Sequence, residues 1–293
     1  MRKTSSFLIC FFVTASLAQD FDAVKIKTKK LSESIYMLEG SGGNIGVCIG
    51  EDGTFIIDDQ FAPLTEKITA AIEKITPKPV QFLINTHWHF DHTDGNENFG
   101  SAGAIIVSHQ NSRKRMARDE VVALVGTEQK AYSRDGLPKI TFKESMSFHY
   151  NGETINIYHI GRAHTDGDAI VHFVESNVLH MGDVFVRYVF PFIDEPNGGN
   201  INGMIKTLDK AAELANNQTQ IIPGHGQVSN KKDLLDYRKM LVTIRDRIKI
   251  QVEKDKTLKQ IIASNPTQGY EGSDFVAKDD FVKIVYDSIK KPK

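Results

Sequence analysis

Val80-Gln81-Phe82-Leu83-Ile84-Asn85-Thr86-His87-Trp88-His89-Phe90-Asp91-His92 is the stretch on which the reading of this chain turns. Val80–Asn85 is a compact apolar segment of strand length that runs directly into three imidazoles and a carboxylate. Nitrogen and carboxylate oxygen are the donors that zinc and related ions take at about 2.0–2.2 Å. In extended backbone, residues i and i+2 point the same way, so His87 and His89 can hold one ion. Asp91 and His92 fall on the next bend, where they can hold a second. Buried without partners, each such group would cost on the order of 1–3 kcal/mol. A purely structural role at the end of an apolar strand offers nothing to offset that cost.

Outward from this stretch the chain alternates strand and helix. Ile35–Leu38, Gly46–Ile49 and Thr54–Asp58 read as short strands, broken by glycines and by the turn Glu51-Asp52-Gly53. Leu64 to Ile75 places apolar residues at helical spacing and stops before Pro77. A helix is expected near Thr93–Phe99 and a strand at Ala104–Ser108. The second half repeats the pattern, with strands at Thr154–Ile160, Ala169–Val174, Asn177–Met181 and Gln220–Pro223. Helices are expected at Gly203–Leu214, Lys231–Val252 and Phe275–Ile289, the remainder from Asn265 onward reading as loosely packed. Each histidine motif follows a strand, where loops of neighbouring strands can converge on one edge.

The 293 residues are 40% hydrophobic and 25% charged, with a net charge of −1, as in an ordinary soluble globular chain. That balance excludes the strong basic excess of a nucleic-acid surface. Arg2 and Lys3 precede an apolar run, Phe7 to Leu17, and Ser16-Leu17-Ala18 has the small-x-small form of a signal-peptidase site. Residues 1–18 are therefore read as a signal peptide, cleaved after Ala18, and the mature protein as periplasmic or secreted. The run is shorter than the roughly 20 residues that cross a bilayer, so no stable span is expected after cleavage. Cleavage removes Cys10 and leaves Cys48 alone in an apolar strand, which excludes an intramolecular disulfide and removes thiolate from the ligand set. Residues 19–293 are expected to form a single domain, with a motif-bearing core at about 31–226 and a helical extension at about 231–293.

The H-x-H-x-D-H string resembles the signature of the metallo-β-lactamase superfamily. Three further segments resemble its later motifs, in the family's order: Gly161-Arg162-Ala163-His164-Thr165-Asp166-Gly167-Asp168, Gly182-Asp183, and Pro223-Gly224-His225-Gly226. The resemblance implies a four-layer αββα sandwich, an α/β fold. It also implies two divalent ions, zinc first, with iron and manganese open. One ion would lie on His87, His89 and His164, the other on Asp91, His92 and His225, with Asp183 reaching both. Asp183 stands where the clinically familiar β-lactamases of this fold often carry a cysteine, so the chain looks like an exported, β-lactamase-like member with an aspartate bridge.

Such a site implies a two-metal hydrolase that uses a bridging hydroxide on a small ester, lactone or amide, β-lactams included, with Asp91 as proton carrier. A thioesterase resembling glyoxalase II and a non-catalytic metal-binding protein of the same fold are the competing readings. Asp58, at the end of its strand, is a candidate to orient a metal-bound imidazole. Arg187 and Tyr188, after the bridging aspartate, are candidates for substrate contact, with Arg187 able to pair with a substrate carboxylate, and Trp88 could pack behind the ligands or shape the entrance. His109, His149, His159, His172 and His180 are read as structural or surface residues. Oligomeric state and substrate are left open.

Overall fold

The computed structural model describes residues 20–122, 125–187, 190–273 and 275–290. The proposed signal segment and Tyr188 lie outside the described residues. Seven strands form the first sheet, in the order Lys27–Lys30, Ile35–Glu39, Ile45–Gly50, Gly53–Ile57, Val80–Asn85, Ile105–His109, Ile140–Phe142. Five form the second: Ser145–Tyr150, Glu153–Tyr158, Ile170–Phe173, Val178–His180 and Gln220–Ile222.

Side-chain alternation along the strands makes the layers. In Gly53–Ile57, Phe55 and Ile57 face the second sheet and pack with Ile157, Val171 and Phe173. Ile56, between them in sequence, faces the other way, onto Leu64 and Ile68 of the segment that forms the helix Thr65–Glu73. On the outer face of the second sheet, Leu179 and Ile221 share a core with the helices Ile201–Leu214 and Lys231–Val252. Helix, sheet, sheet and helix follow one another, which is the αββα sandwich. No helix among the described residues is long and apolar enough to cross a membrane.

Two expectations are corrected. The helix expected near Thr93–Phe99 is two short ones, Phe90–Thr93 and Asn96–Ser101, so Asp91 and His92 stand on a helical turn rather than an open bend. The stretch before the C-terminal helix is packed rather than loose, with Thr267 buried and Arg247 donating to the carbonyls of Pro266 and Gln268 at 2.9 and 2.8 Å. The helix expected at Phe275–Ile289 is Lys278–Lys290, whose Phe281 stacks on Phe190 at 4.7 Å between ring centroids. Val276, Val282 and Val285 are buried in the same core. The Ser288 hydroxyl also accepts the Ile201 N–H at 2.9 Å, satisfying a donor at the start of another helix. The sequence reading also passes over the strand Ser145–Tyr150, whose Phe148 ring meets Phe55 edge-on at 5.1 Å.

Parallel pairing gathers the motifs. Gly53–Ile57 pairs with Val80–Asn85 with Ile57 opposite Ile84, so Asp58 emerges beside Thr86 and His87. Val178–His180 pairs with Gln220–Ile222 with His180 opposite Ile222, so Asp183 emerges beside Gly224 and His225. Parallel strands end at the same edge of a sheet, and the two sheets present those edges together.

Candidate metal centre

Three groups of donors close enough to share an ion stand at that edge: His87, His89 and His164; His87, His92 and Asp183; and Asp91, His92 and His225. All seven residues expected as ligands are therefore brought together. The ligating nitrogen of each ring is set by the hydrogen bond at its other nitrogen. The Thr86 hydroxyl donates to Asp58 Oδ2 at 2.7 Å and so can only accept from His87 Nδ1–H, at 3.1 Å. His87 Nε2 is left with its lone pair, buried and without a hydrogen-bond partner. His89 donates Nε2–H to Asp194 at 2.9 Å, and His164 donates Nδ1–H to the Phe192 carbonyl at 2.7 Å. The remaining nitrogens, His89 Nδ1 and His164 Nε2, then face one another at 2.8 Å with no proton between neutral rings. A buried convergence of three imidazole lone pairs fits a cation.

The other two groups share His92 and are taken together as a second group, in which His92 donates Nδ1–H to Asp58 Oδ2 at 2.8 Å and so aims its Nε2 at Asp183 Oδ1, 3.2 Å away. His225 Nε2 lies 3.2 Å from Asp91 Oδ2 and 3.4 Å from Asp183 Oδ1. Asp183 spans the two groups, because its Oδ2 lies 3.7 Å from His164 Nε2 while Oδ1 faces His92 and His225. Asp183 Oδ1 is itself buried and meets the His92 and His225 rings at ion-pair distance. Both groups fit divalent ions, and the donor set of imidazole and carboxylate is shared by several of them.

The two groups differ electrically. Burial, reinforced by the neighbouring rings, drives His87 and His164 below the ordinary histidine pKa, so these two rings are neutral at neutral pH. Around His225 burial acts in the same direction, but Asp183 and Asp91 outweigh it and raise the ring to about 10. His92 is likewise raised, burial being overcome by Asp91, Asp183 and Asp58. A protonated ring cannot ligate, so a metal entering the second group must displace protons. Adding a divalent ion to the metal-free protein at pH 7 in weak buffer should therefore release protons, and the release should fade above about pH 10. Proton uptake, or a constant release across that range, would contradict this electrostatic picture. Without metal the raised rings stabilise the fold fully below their unfolded pKa of about 6.5. That stabilisation is lost as pH rises through about 10.

Several supporting residues had no signal in the sequence. Asp194 and Phe192 lie on one loop and hold two ligands of the first group, and Asn197 Nδ2 donates to Asp194 Oδ2 at 2.8 Å. Arg115 reaches Asn197 Oδ1 at 2.9 Å and is clamped by Asp166 through two bonds of 2.7 and 2.8 Å. Asn44 donates to the carbonyls of Pro223 and Gly226 at 2.9 and 2.8 Å, tying the His225 turn to the first sheet. Only glycine fits at position 43, where a Cβ would strike the His92 ring, and at 224, where it would strike Asp183 Oδ1. Asp58 takes the orienting position expected of it, on a backbone with φ of +62°.

Of the two placements open to Trp88, the structure takes the packed one: it is fully buried beneath the ligands, with Arg115 over its ring. Arg187 lies 3.8 Å from Asp233 and does not border the cavity above the metal groups. His180 donates Nε2–H to the Asn44 carbonyl at 3.1 Å, and His109 stacks on His159 at 3.9 Å, both structural placements. Cys48 is buried in the inter-sheet core, which raises its thiol to about 12.

A cavity of about 320 Å³ opens over the ligands, with His89, Asp91, His164, Asp183 and His225 at its floor. The sequence profile described as the metallo-beta-lactamase superfamily matches residues 38–225. A probable metallo-hydrolase of Methanocaldococcus jannaschii is 25% identical over 224 residues, covering 75% of this chain and 99% of its own length. The structure of the DIM-1 metallo-beta-lactamase superposes with a TM-score of 0.60 at 19% identity, over 75% of this chain and 99% of that one. The sec-alkylsulfatase Pisa1 of Pseudomonas sp. superposes with a TM-score of 0.69 at 16% identity, over 91% of this chain and 50% of that one. At those identities the two structures speak for the fold. The profile spans well over half of the residues and contains every expected ligand, so the chain belongs to the metallo-beta-lactamase superfamily and is a metal-dependent hydrolase.

Proposed function

We propose that this chain hydrolyses a small ester, lactone or amide with two zinc ions, and that it does so outside the cytoplasm after export. The observation that carries the reading is Asp183, one carboxylate placed between a three-histidine group and a second group at the floor of an open cavity. Divalent ions held there supply Lewis acidity, which acidifies water from a pKa of about 15.7 to about 7 and polarises the scissile carbonyl. The protein's own part is orientation and proton traffic. Asp58, Thr86, Asp194 and the Phe192 carbonyl fix the rings before substrate arrives.

Asp91 borders the cavity, with Oδ2 directed at His225. We assign it the proton given up by the attacking water: as the water oxygen bonds to the carbonyl carbon and the bond to the leaving oxygen or nitrogen breaks, that proton passes to the leaving atom. Asp91→Asn should lower kcat by at least about tenfold, toward the roughly 10²–10⁴ range of general acid–base catalysis, with an unchanged far-ultraviolet spectrum. Unaltered kcat on a good substrate would remove Asp91 from that role.

The decisive test is a hydrolysis screen of the metal-loaded protein over esters, lactones, β-lactams and thioesters, with metal content measured on the same sample. Turnover of an ester, lactone or amide with two equivalents of zinc is the expected result. Preferential turnover of thioesters would replace this substrate class, and absence of turnover with full metal loading would favour a binding protein. Export rests on Arg2, Lys3, the apolar run Phe7 to Leu17 and the Ala18 cleavage pattern. Recovery of uncleaved chain from the cytoplasm of its native host would refute it.

A further inference from the structure

We propose that the part of the substrate that does not react is an uncharged, apolar acyl or alkyl group, and that Phe275 of the C-terminal segment selects it. This rests on the hydrolase reading above and gives it a substrate class. The cavity has two unlike halves. Its floor is the ligand set, while Phe61, Phe90, Val122, Val125, Phe192 and Phe275 make most of its wall, which Ser41 and Gly42 complete. Among the described residues, no lysine or arginine borders it, and its only carboxylates are Asp91 and Asp183, both within the metal groups.

Arg187, the cation expected at the substrate, lies 3.8 Å from Asp233 and does not border the cavity. An anionic group entering along this wall would lose hydration and find no countercharge there. An apolar group would lose nothing by entering and would remove carbon surface from water on both sides.

The wall is also built to stay in place. Phe61 packs against Phe90 at 5.9 Å and against Phe21 at 5.1 Å, and Phe192 stacks on the His89 ring at 5.9 Å. Val125 and Phe275 at the rim of the cavity are 45% and 48% exposed. Phe275 directly precedes Val276, which is buried in the core with Phe281. The packed C-terminal segment therefore carries one wall of the cavity, although Phe275 lies 50 residues beyond His225.

The experiment uses the full metal-loaded protein and p-nitrophenyl esters from acetate to octanoate, with the anionic hemisuccinate ester beside the neutral butyrate. Binding of n-alkyl hydroxamates of matching lengths is measured in parallel, since these need no turnover. The ratio kcat/KM should rise about fourfold per methylene until the cavity is filled, and hydroxamate affinity should climb in step. The hemisuccinate should fall at least about tenfold below the butyrate. Phe275→Ala should flatten both series, and Phe275→Leu should restore most of the slope.

Turnover with a flat or falling chain-length series, or a preference for the hemisuccinate, would overturn the apolar pocket and leave the hydrolase reading intact. No turnover with climbing hydroxamate affinity would defeat the hydrolase reading and support the pocket. If neither series depends on length, the pocket is wrong. Should Phe275→Ala fail to fold, the wild-type hydroxamate series and Phe275→Leu still decide.

Discussion

Asp183→Ala should leave the purified protein with fewer than two equivalents of metal and reduce hydrolysis by about a thousandfold or more. Asp183 offers its two oxygens to different groups, with Oδ1 toward His92 and His225 and Oδ2 toward His164. Removing it takes a ligand from both. A bound ion contributes several kcal/mol of transition-state stabilisation, and each step of about 1.36 kcal/mol is tenfold in rate. Gly224→Ala is the companion variant: it deletes no ligand, but its new Cβ would occupy the space of Asp183 Oδ1 and the Gly182 backbone. Metal content by elemental analysis and turnover should fall together in both variants. Two full equivalents with turnover within about tenfold of wild type in Asp183→Ala would show that Asp183 does not join the groups.

The second large effect is expected at Asp58, which touches no ion. Its carboxylate accepts three hydrogen bonds in a fully buried position: the Thr86 N–H on Oδ1, and the Thr86 hydroxyl and His92 Nδ1–H on Oδ2. An asparagine side chain at this position would keep the backbone conformation, since asparagine tolerates positive φ. Its amide nitrogen, however, must oppose one or more of these donors whichever way it is turned. Breaking a buried charge-assisted pair costs about 3–5 kcal/mol. The loss also frees both His87 and His92 to rotate, because the Thr86 hydroxyl would no longer be held as an acceptor. Asp58→Asn should thus lower the unfolding free energy of the metal-free protein by about 3–5 kcal/mol in a denaturant titration. It should also weaken metal binding about 10–100-fold. A wild-type denaturation midpoint would refute the first claim, and unchanged metal affinity the second.

Which parts of the centre were readable in the sequence follows from how each is built. His87, His89, Asp91 and His92 are close along the chain, and their residue types are costly to bury without ions, so local sequence suffices to mark them. His164, Asp183 and His225 are each set in a short motif after or between strands, so order and resemblance located them. Asp58 was reachable for the same reason, as a carboxylate at a strand end. By contrast Asp194, Asn44 and Gly43 have ordinary neighbours, and Thr86, although beside His87, carries no donor type that marks it. Their roles arise from contacts such as Asn44 with Pro223, 179 positions away. Arg187 shows the reverse error: it follows Asp183 closely in sequence, yet Asp233 from a later helix takes its charge.

While the layered fold and the later donors came by resemblance, the sequence by itself determined the succession of strands and helices, through apolar alternation with period two in strands and near 3.6 in helices, and it marked the donors His87, His89, Asp91 and His92. Both are local properties, carried by residue type and spacing along a few turns or strands. Only the tertiary structure decided how the donors are shared, which ring nitrogen faces inward, and what surrounds the cavity. Those depend on parallel register, which sets Asp58 beside Thr86 and Asp183 beside Gly224, and on the packing of the C-terminal helix, which brings Phe275 to the rim. Register and packing are fixed by long-range burial, whose free energy is summed over surfaces that no short stretch of sequence contains.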